Sequence, residues 1–76
     1  MKELLAVIAK SLVDDPQSVS VTEREDDRAV VFELRVADSD MGKVIGKQGR
    51  IAKCIRTVMK AAASRENKHV VVEIVQ

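Results

Sequence analysis

The chain has no tryptophan, no tyrosine and a single phenylalanine, Phe32. Binding of single strands by stacking bases on exposed aromatic rings, worth about 1–3 kcal/mol per base, is therefore excluded. Its one cysteine, Cys54, can neither close an internal disulfide nor hold a metal ion alone, which points to a reducing cytoplasm. The single histidine, His69, falls at an expected strand edge with no cysteine at ligand spacing, so no metal site is expected. No apolar run approaches the roughly 20 residues that a membrane helix needs. The segment Leu4 to Ala9 is too short and too amphipathic for a secretory signal, with Lys10 and Ser11 following it. Acidic residues cluster in Glu23 to Asp27, where mutual repulsion and water oppose a general acid–base pair. Neither an enzyme nor a cofactor or small-molecule substrate is expected.

Acids are also missing from residues 41–65, which carry seven basic side chains, whereas residues 1–40 carry five basic and ten acidic ones. The net charge of +1 hides this segregation. A local cationic field of this kind can attract a polyanion even when the total charge is near zero.

The 76 residues suffice for one domain, spanning 1–76, with one modest core. Residues 2–13 repeat apolar side chains at helical spacing, with Leu4, Leu5, Ile8, Ala9 and Leu12 on one face. Asp14-Asp15-Pro16 ends that helix. Alternation predicts a first strand over Ser18 to Thr22, a polar loop over Glu23 to Arg28, and a second strand that turns Val30, Phe32, Leu34 and Val36 inward. Asp38-Ser39-Asp40 offers cap oxygens to a short helix over Met41 to Ile45. A longer helix follows, with Asn67 as its left-handed stop, and His69 to Val75 forms a last strand. The fold class is α+β, in the order α-β-β-α-α-β, with a three-stranded mixed sheet. The last strand returns after two helices and should run parallel beside a central strand two, with three helices on one face.

On the long helix the apolar side chains spread over about 200°, counting 100° per residue. One sheet needs a stripe of only about 100° or somewhat more. The excess predicts a second buried contact through Cys54, Val58, Met59, Ala61 and Ala62, and self-association is the simplest one.

Between the two helices lies Gly46-Lys47-Gln48-Gly49. Glycine lets a backbone turn sharply and approach a ligand closely, and the amino end of the second helix offers N–H donors and a positive dipole end. The preceding run Gly42-Lys43-Val44-Ile45-Gly46-Lys47-Gln48 is not a nucleotide-binding phosphate loop, which needs four residues between its glycines and a Ser or Thr after the lysine.

Val44-Ile45-Gly46-Lys47-Gln48-Gly49-Arg50-Ile51 resembles the signature of K-homology (KH) domains, whose Gly-x-x-Gly loop clamps about four nucleotides of a single strand. The element order resembles the second KH topology. Length and the run Met41 to Ala52 are similar to the small single-domain bacterial RNA-binding proteins of the KhpA type. The resemblance implies single-stranded RNA as ligand, and homodimers or pairing with a larger KhpB-type KH protein. It also implies a role in RNA regulation and cell-envelope growth. Carried over by position, Gly46 and Gly49 permit close phosphate approach, and Lys47 and Gln48 contact the backbone. Gly42 belongs to the same motif, while Lys43, Arg50 and Lys53 add charge. Val44, Ile45 and Ile51 wall a groove for bases, with strand two opposite. The acidic loop Glu23 to Arg28 takes the place of the family's variable loop. A second reading keeps the fold but makes the chain a protein-interaction adaptor working through its long helix.

Overall fold

The computed structural model describes residues 1–64 and 68–75. Helix α1 (Lys2–Leu12) is followed by strands β1 (Ser20–Glu25) and β2 (Ala29–Arg35), helices α2 (Met41–Ile45) and α3 (Arg50–Ala63), and strand β3 (His69–Val75). The sheet order is β1-β2-β3, with β1 antiparallel and β3 parallel to the central β2. Element order, mixed sheet and central strand are those expected from the sequence. Arg65 and the expected helix stop, Asn67, lie outside the described residues.

Period-two alternation places Val30, Phe32 and Leu34 of β2 on the same side as Val70 and Val72 of β3. All five are buried, against Leu5 and Ala9 of α1, Val44 of α2, and Ile55, Met59 and Ala63 of α3. The helices thus share one face of the sheet. Phe32, fully buried at its centre, contributes about 1.5–3 kcal/mol of burial free energy. On the other face Arg24 reaches Glu33 at 3.2 Å and Glu73 at 3.8 Å, bridging all three strands. The Arg24 side chain is 61% exposed, so these pairs add little to stability.

Two local expectations need correction. Strand β1 starts at Ser20 and runs through Glu25, because Pro16–Ser18 forms a 3₁₀ turn and the ladder continues to Glu25 opposite Val30. The charged residues taken for a loop are edge-strand residues with exposed side chains, a position where charge is tolerated and discourages further pairing. The turn is shorter than expected, closed by Asp26, whose carboxylate accepts the amides of Arg28 and Ala29, both at 2.8 Å. These bonds hold the Asp26 carboxyl below its ordinary value.

The second correction concerns Asp38-Ser39-Asp40, a 3₁₀ turn that provides no side-chain cap for α2. Asp40 is buried, and its carboxylate instead accepts the amides of Asp14 (3.2 Å) and Asp15 (3.0 Å) and the ammonium of Lys43 (3.2 Å). It ties the chain leaving α1 to the start of α2. Burial disfavours the charged Asp40 carboxylate, but the two amides and Lys43 outweigh it and hold the carboxyl below its ordinary range.

Candidate nucleic-acid interface

The bend between α2 and α3 is built from unusual backbone. Gly46 has φ 75 and ψ 175, Gln48 φ 57 and ψ 25, and Gly49 φ 72 and ψ 18. The Gly46 conformation is open essentially to glycine alone, and a Cβ there would stand 2.6 Å from Ile51 Cγ1. A Cβ on Gly49 would meet nothing within 4 Å, so no internal packing demands glycine at that position. Gln48, a non-glycine residue in the left-handed region, stores strain of about 1–2 kcal/mol. Strain of this kind gathers at ligand clamps.

The amides of the bend divide into two sets. Gly46 N–H donates to Gly42 O (2.8 Å), Gly49 N–H to Gly46 O (3.2 Å), and Arg50 N–H to Lys47 O. The first amides of α3 are therefore not all open, contrary to the sequence expectation. The amides of Lys47 and Gln48 have no hydrogen-bond partner among the described residues, and both side chains are exposed. They sit at the apex between the two glycines and form the available donor pair.

The charged residues separate as well. Lys47, Arg50 and Lys53 are exposed and have no carboxylate partner among the described residues. Lys43 differs: its ammonium is held by the carboxylates of Asp14 and Asp40. Those contacts, Asp14 first, raise its pKa. Distance in sequence concealed the Asp14 contact, and Lys43 acts here as a strut between α1 and α2. Gly42 is exposed with open space around it.

The apolar positions also need correction. Val44 is completely buried in the core and cannot touch a base. Ile45 and Ile51 are half-buried. Strand β2 cannot wall a groove either, since Val30, Phe32, Leu34 and Val36 are all buried beneath the helices. The strand beside α3 is β3, at the sheet edge, where Arg56 Nε donates to Val72 O at 3.3 Å. Arg56, Lys60, His69 and Val70 to Val72 line a cleft there of about 150 Å³. These basic positions were missed as site residues; their signal was the spacing of Lys53, Arg56 and Lys60 along one helix face.

Helix α3 has three working arcs. Ala52, Ile55, Met59 and Ala63 lie within about 80° and are buried toward the sheet. Arg56, Lys60, Lys53 and Arg50 occupy the arc toward and beyond β3. Cys54, Val58, Ala61 and Ala62 occupy the third; the first three are exposed and Ala62 is half-buried. Met59, expected in a partner interface, is fully buried and belongs to the core. The third arc borders an apolar groove of about 270 Å³ lined by Ile8 and Leu12 of α1 with Ile51, Cys54, Ile55 and Val58 of α3. Leu4 and Val7 of α1 and Val58 of α3 are also exposed, at 39%, 61% and 44%. Among the described residues, no helix is long and apolar enough to cross a membrane.

Comparison with known proteins agrees with this architecture. A family model described as KhpA/KhpB, KH domain, matches residues 2–74. The chain is 65% identical over 75 residues to the RNA-binding protein KhpA of Clostridium acetobutylicum, covering 99% of this chain and 100% of that one. It is 64% identical over the same shares to RNA-binding protein KhpA of Clostridium perfringens, and 57% identical to that of Caldanaerobacter subterraneus. No solved structure matches the chain. With the α-β-β-α-α-β order of the second KH topology and a family match over nearly its whole length, the chain belongs to the KhpA/KhpB family of KH domains.

Proposed function

We propose that this chain is a cytoplasmic RNA-binding protein that grips the backbone of single-stranded RNA with the Gly46–Gly49 bend. The observation that carries the reading is the pair of amides at Lys47 and Gln48, exposed between two positive-φ glycines and, like the side chains of Lys47, Arg50 and Lys53, without a partner among the described residues. Phosphate oxygens accept from backbone N–H groups and from ammonium or guanidinium donors, and a glycine at the edge of the bend lets a sugar–phosphate chain approach the backbone. Relatives named RNA-binding protein KhpA support the choice of RNA.

Gly42 and Gly49 keep the approach open, Gly46 lets the chain turn tightly against Ile51, and Ile45 and Ile51 supply apolar surface near the bend. Lys43 and Val44 support the site from beneath rather than touching RNA. Without aromatic stacking and with an acidic β1–β2 turn, one copy binds weakly and with little sequence preference. Pairing offsets this by presenting two bends to one strand. The α1–α3 groove is the surface that supports pairing, with a second copy or with a KhpB-type KH protein, in post-transcriptional regulation.

The test is RNA crosslinking of the Lys47→Asp, Gln48→Asp double variant. Loss of crosslinking with an unchanged circular dichroism spectrum is expected; unchanged crosslinking contradicts the reading. The exposed α1–α3 groove also favours an adaptor role, in which this double variant keeps its protein partner and its cellular activity.

A further inference from the structure

We infer that Asp14, Asp40 and Lys43 are positioning residues for RNA binding: without touching the strand, they fix the rotation of α2 and so the direction in which the Lys47 and Gln48 amides point. The inference rests on the RNA-binding reading above and concerns how that bend is held. Helix α2 has only five residues, too few to be stable alone, so its placement is set by what its side chains grip. Val44 is one grip, fully buried in the core. A single apolar plug leaves a short helix free to turn about it. Lys43, one residue earlier and about 100° round the helix, is the second grip. Its ammonium lies between the carboxylates of Asp14 and Asp40, the latter at 3.2 Å.

That second grip is itself anchored. Asp40 is 1% exposed, and its two carboxylate oxygens accept the amides of the segment leaving α1, Oδ1 that of Asp14 at 3.2 Å and Oδ2 that of Asp15 at 3.0 Å. Lys43 therefore meets a fixed acceptor rather than a mobile one. The backbone passes the orientation on. Gly42, beside Lys43, presents its carbonyl to the Gly46 amide at 2.8 Å, and Gly46 presents its own to the Gly49 amide at 3.2 Å. A turn of α2 about Val44 thus carries Gly46 with it, and with Gly46 the Lys47 and Gln48 amides. Donors already held in place need no ordering when a phosphate arrives, and affinity falls when that ordering has to be done on binding.

The sign of the charges makes this role testable. As mere neighbours of a polyanion, Asp14 and Asp40 oppose its binding, and removing either would tighten it. As positioning residues they favour binding, and removing either weakens it.

The experiment measures the affinity of a single-stranded oligouridylate, as a function of salt, for the wild-type chain and for Asp14→Ala, Asp40→Asn, Lys43→Met and Lys43→Arg, at a temperature where each is folded. The Asp14 side chain is 84% exposed, so Asp14→Ala remains informative if Asp40→Asn does not fold. Asp14→Ala, Asp40→Asn and Lys43→Met are expected to lose about threefold or more in affinity, the first two although each removes a negative charge. Lys43→Arg keeps a cation between the two carboxylates and should bind nearly as the wild type does. Lys43→Met should keep the wild-type dependence of log affinity on log salt, whereas loss of a phosphate contact would flatten it by about 0.7. The Lys47 and Gln48 amide resonances of the free protein should move in the three weakened variants, which a loss of stability alone does not produce. Binding by Asp14→Ala as tight as the wild type or tighter, or a flattened salt dependence in Lys43→Met, overturns the inference and leaves the bend reading intact. A wild-type chain that binds no RNA overturns both.

Discussion

Ile51 lies against Gly46 so closely that a methyl group added to the glycine would stand 2.6 Å from Ile51 Cγ1 and 3.0 Å from its Cβ. The first residue pair across the bend is thereby locked: α3 can begin where it does only if the last residue of the preceding turn has no side chain. Gly46→Ala should destabilise the fold by about 1–3 kcal/mol, combining overpacking with backbone strain. Adding Ile51→Ala should recover part of the loss, because the clash is removed while the strain at φ 75 remains. Urea unfolding of the single and double variants measures the coupling.

Gly49 behaves differently. Its φ of 72 and ψ of 18 lie in the left-handed region that asparagine also visits, and open space surrounds the missing Cβ. Gly49→Asn should therefore cost less than about 1 kcal/mol of stability. It should still weaken RNA binding severalfold, because the new side chain stands where the strand passes. Unfolding and binding measured on one preparation separate the two roles of glycine in this bend.

The buried Asp40 carboxylate gives the fold an acid limit. Its folded pKa is below the ordinary value, so its contribution is present above the unfolded pKa of about 3.9 and is lost as pH falls through the folded value. Asp26 acts in the same direction. Stability should be flat from neutral pH down to about 5 and fall below about 4. Asp40→Asn should lower the melting temperature at neutral pH and reduce the acid-dependent loss. Lys43, whose pKa is raised by Asp14 and Asp40, adds a contribution lost only as pH rises through that raised value.

Pairing is tested at Val58, which is 44% exposed beside the α1–α3 groove. Val58→Glu should convert a self-associating chain to monomer in sedimentation, leave the melting temperature nearly unchanged, and weaken binding to long strands more than to short ones. Met59 is the wrong position for this test. Its side chain is fully buried, so a charge there unfolds the protein instead of separating two copies.

Periodicity made most of the architecture legible. The alternation in Val30 to Val36 and Val70 to Ile74 marked the buried sheet face, and two helices before the last strand implied its parallel placement. The glycine spacing marked the bend. Contacts between residues far apart in sequence were not legible. Nothing local shows that Asp14 and Asp40 converge on Lys43, or that Arg56 reaches Val72 across the β3 edge. A helical wheel showed that α3 had more apolar arc than a sheet needs, but not which part the sheet would take. Met59 went to the core, while Cys54 and Val58 faced α1. The same limit misplaced Val44, whose neighbours in sequence belong to the bend and whose side chain belongs to the core.

The most direct test follows the backbone amides of the bend by NMR during titration with a single-stranded oligouridylate. The account predicts that the Lys47 and Gln48 amides, without a partner among the described residues, show the largest shifts, with smaller ones at Arg50 and Lys53. Saturable RNA binding that leaves the Lys47 and Gln48 amides unmoved would contradict it.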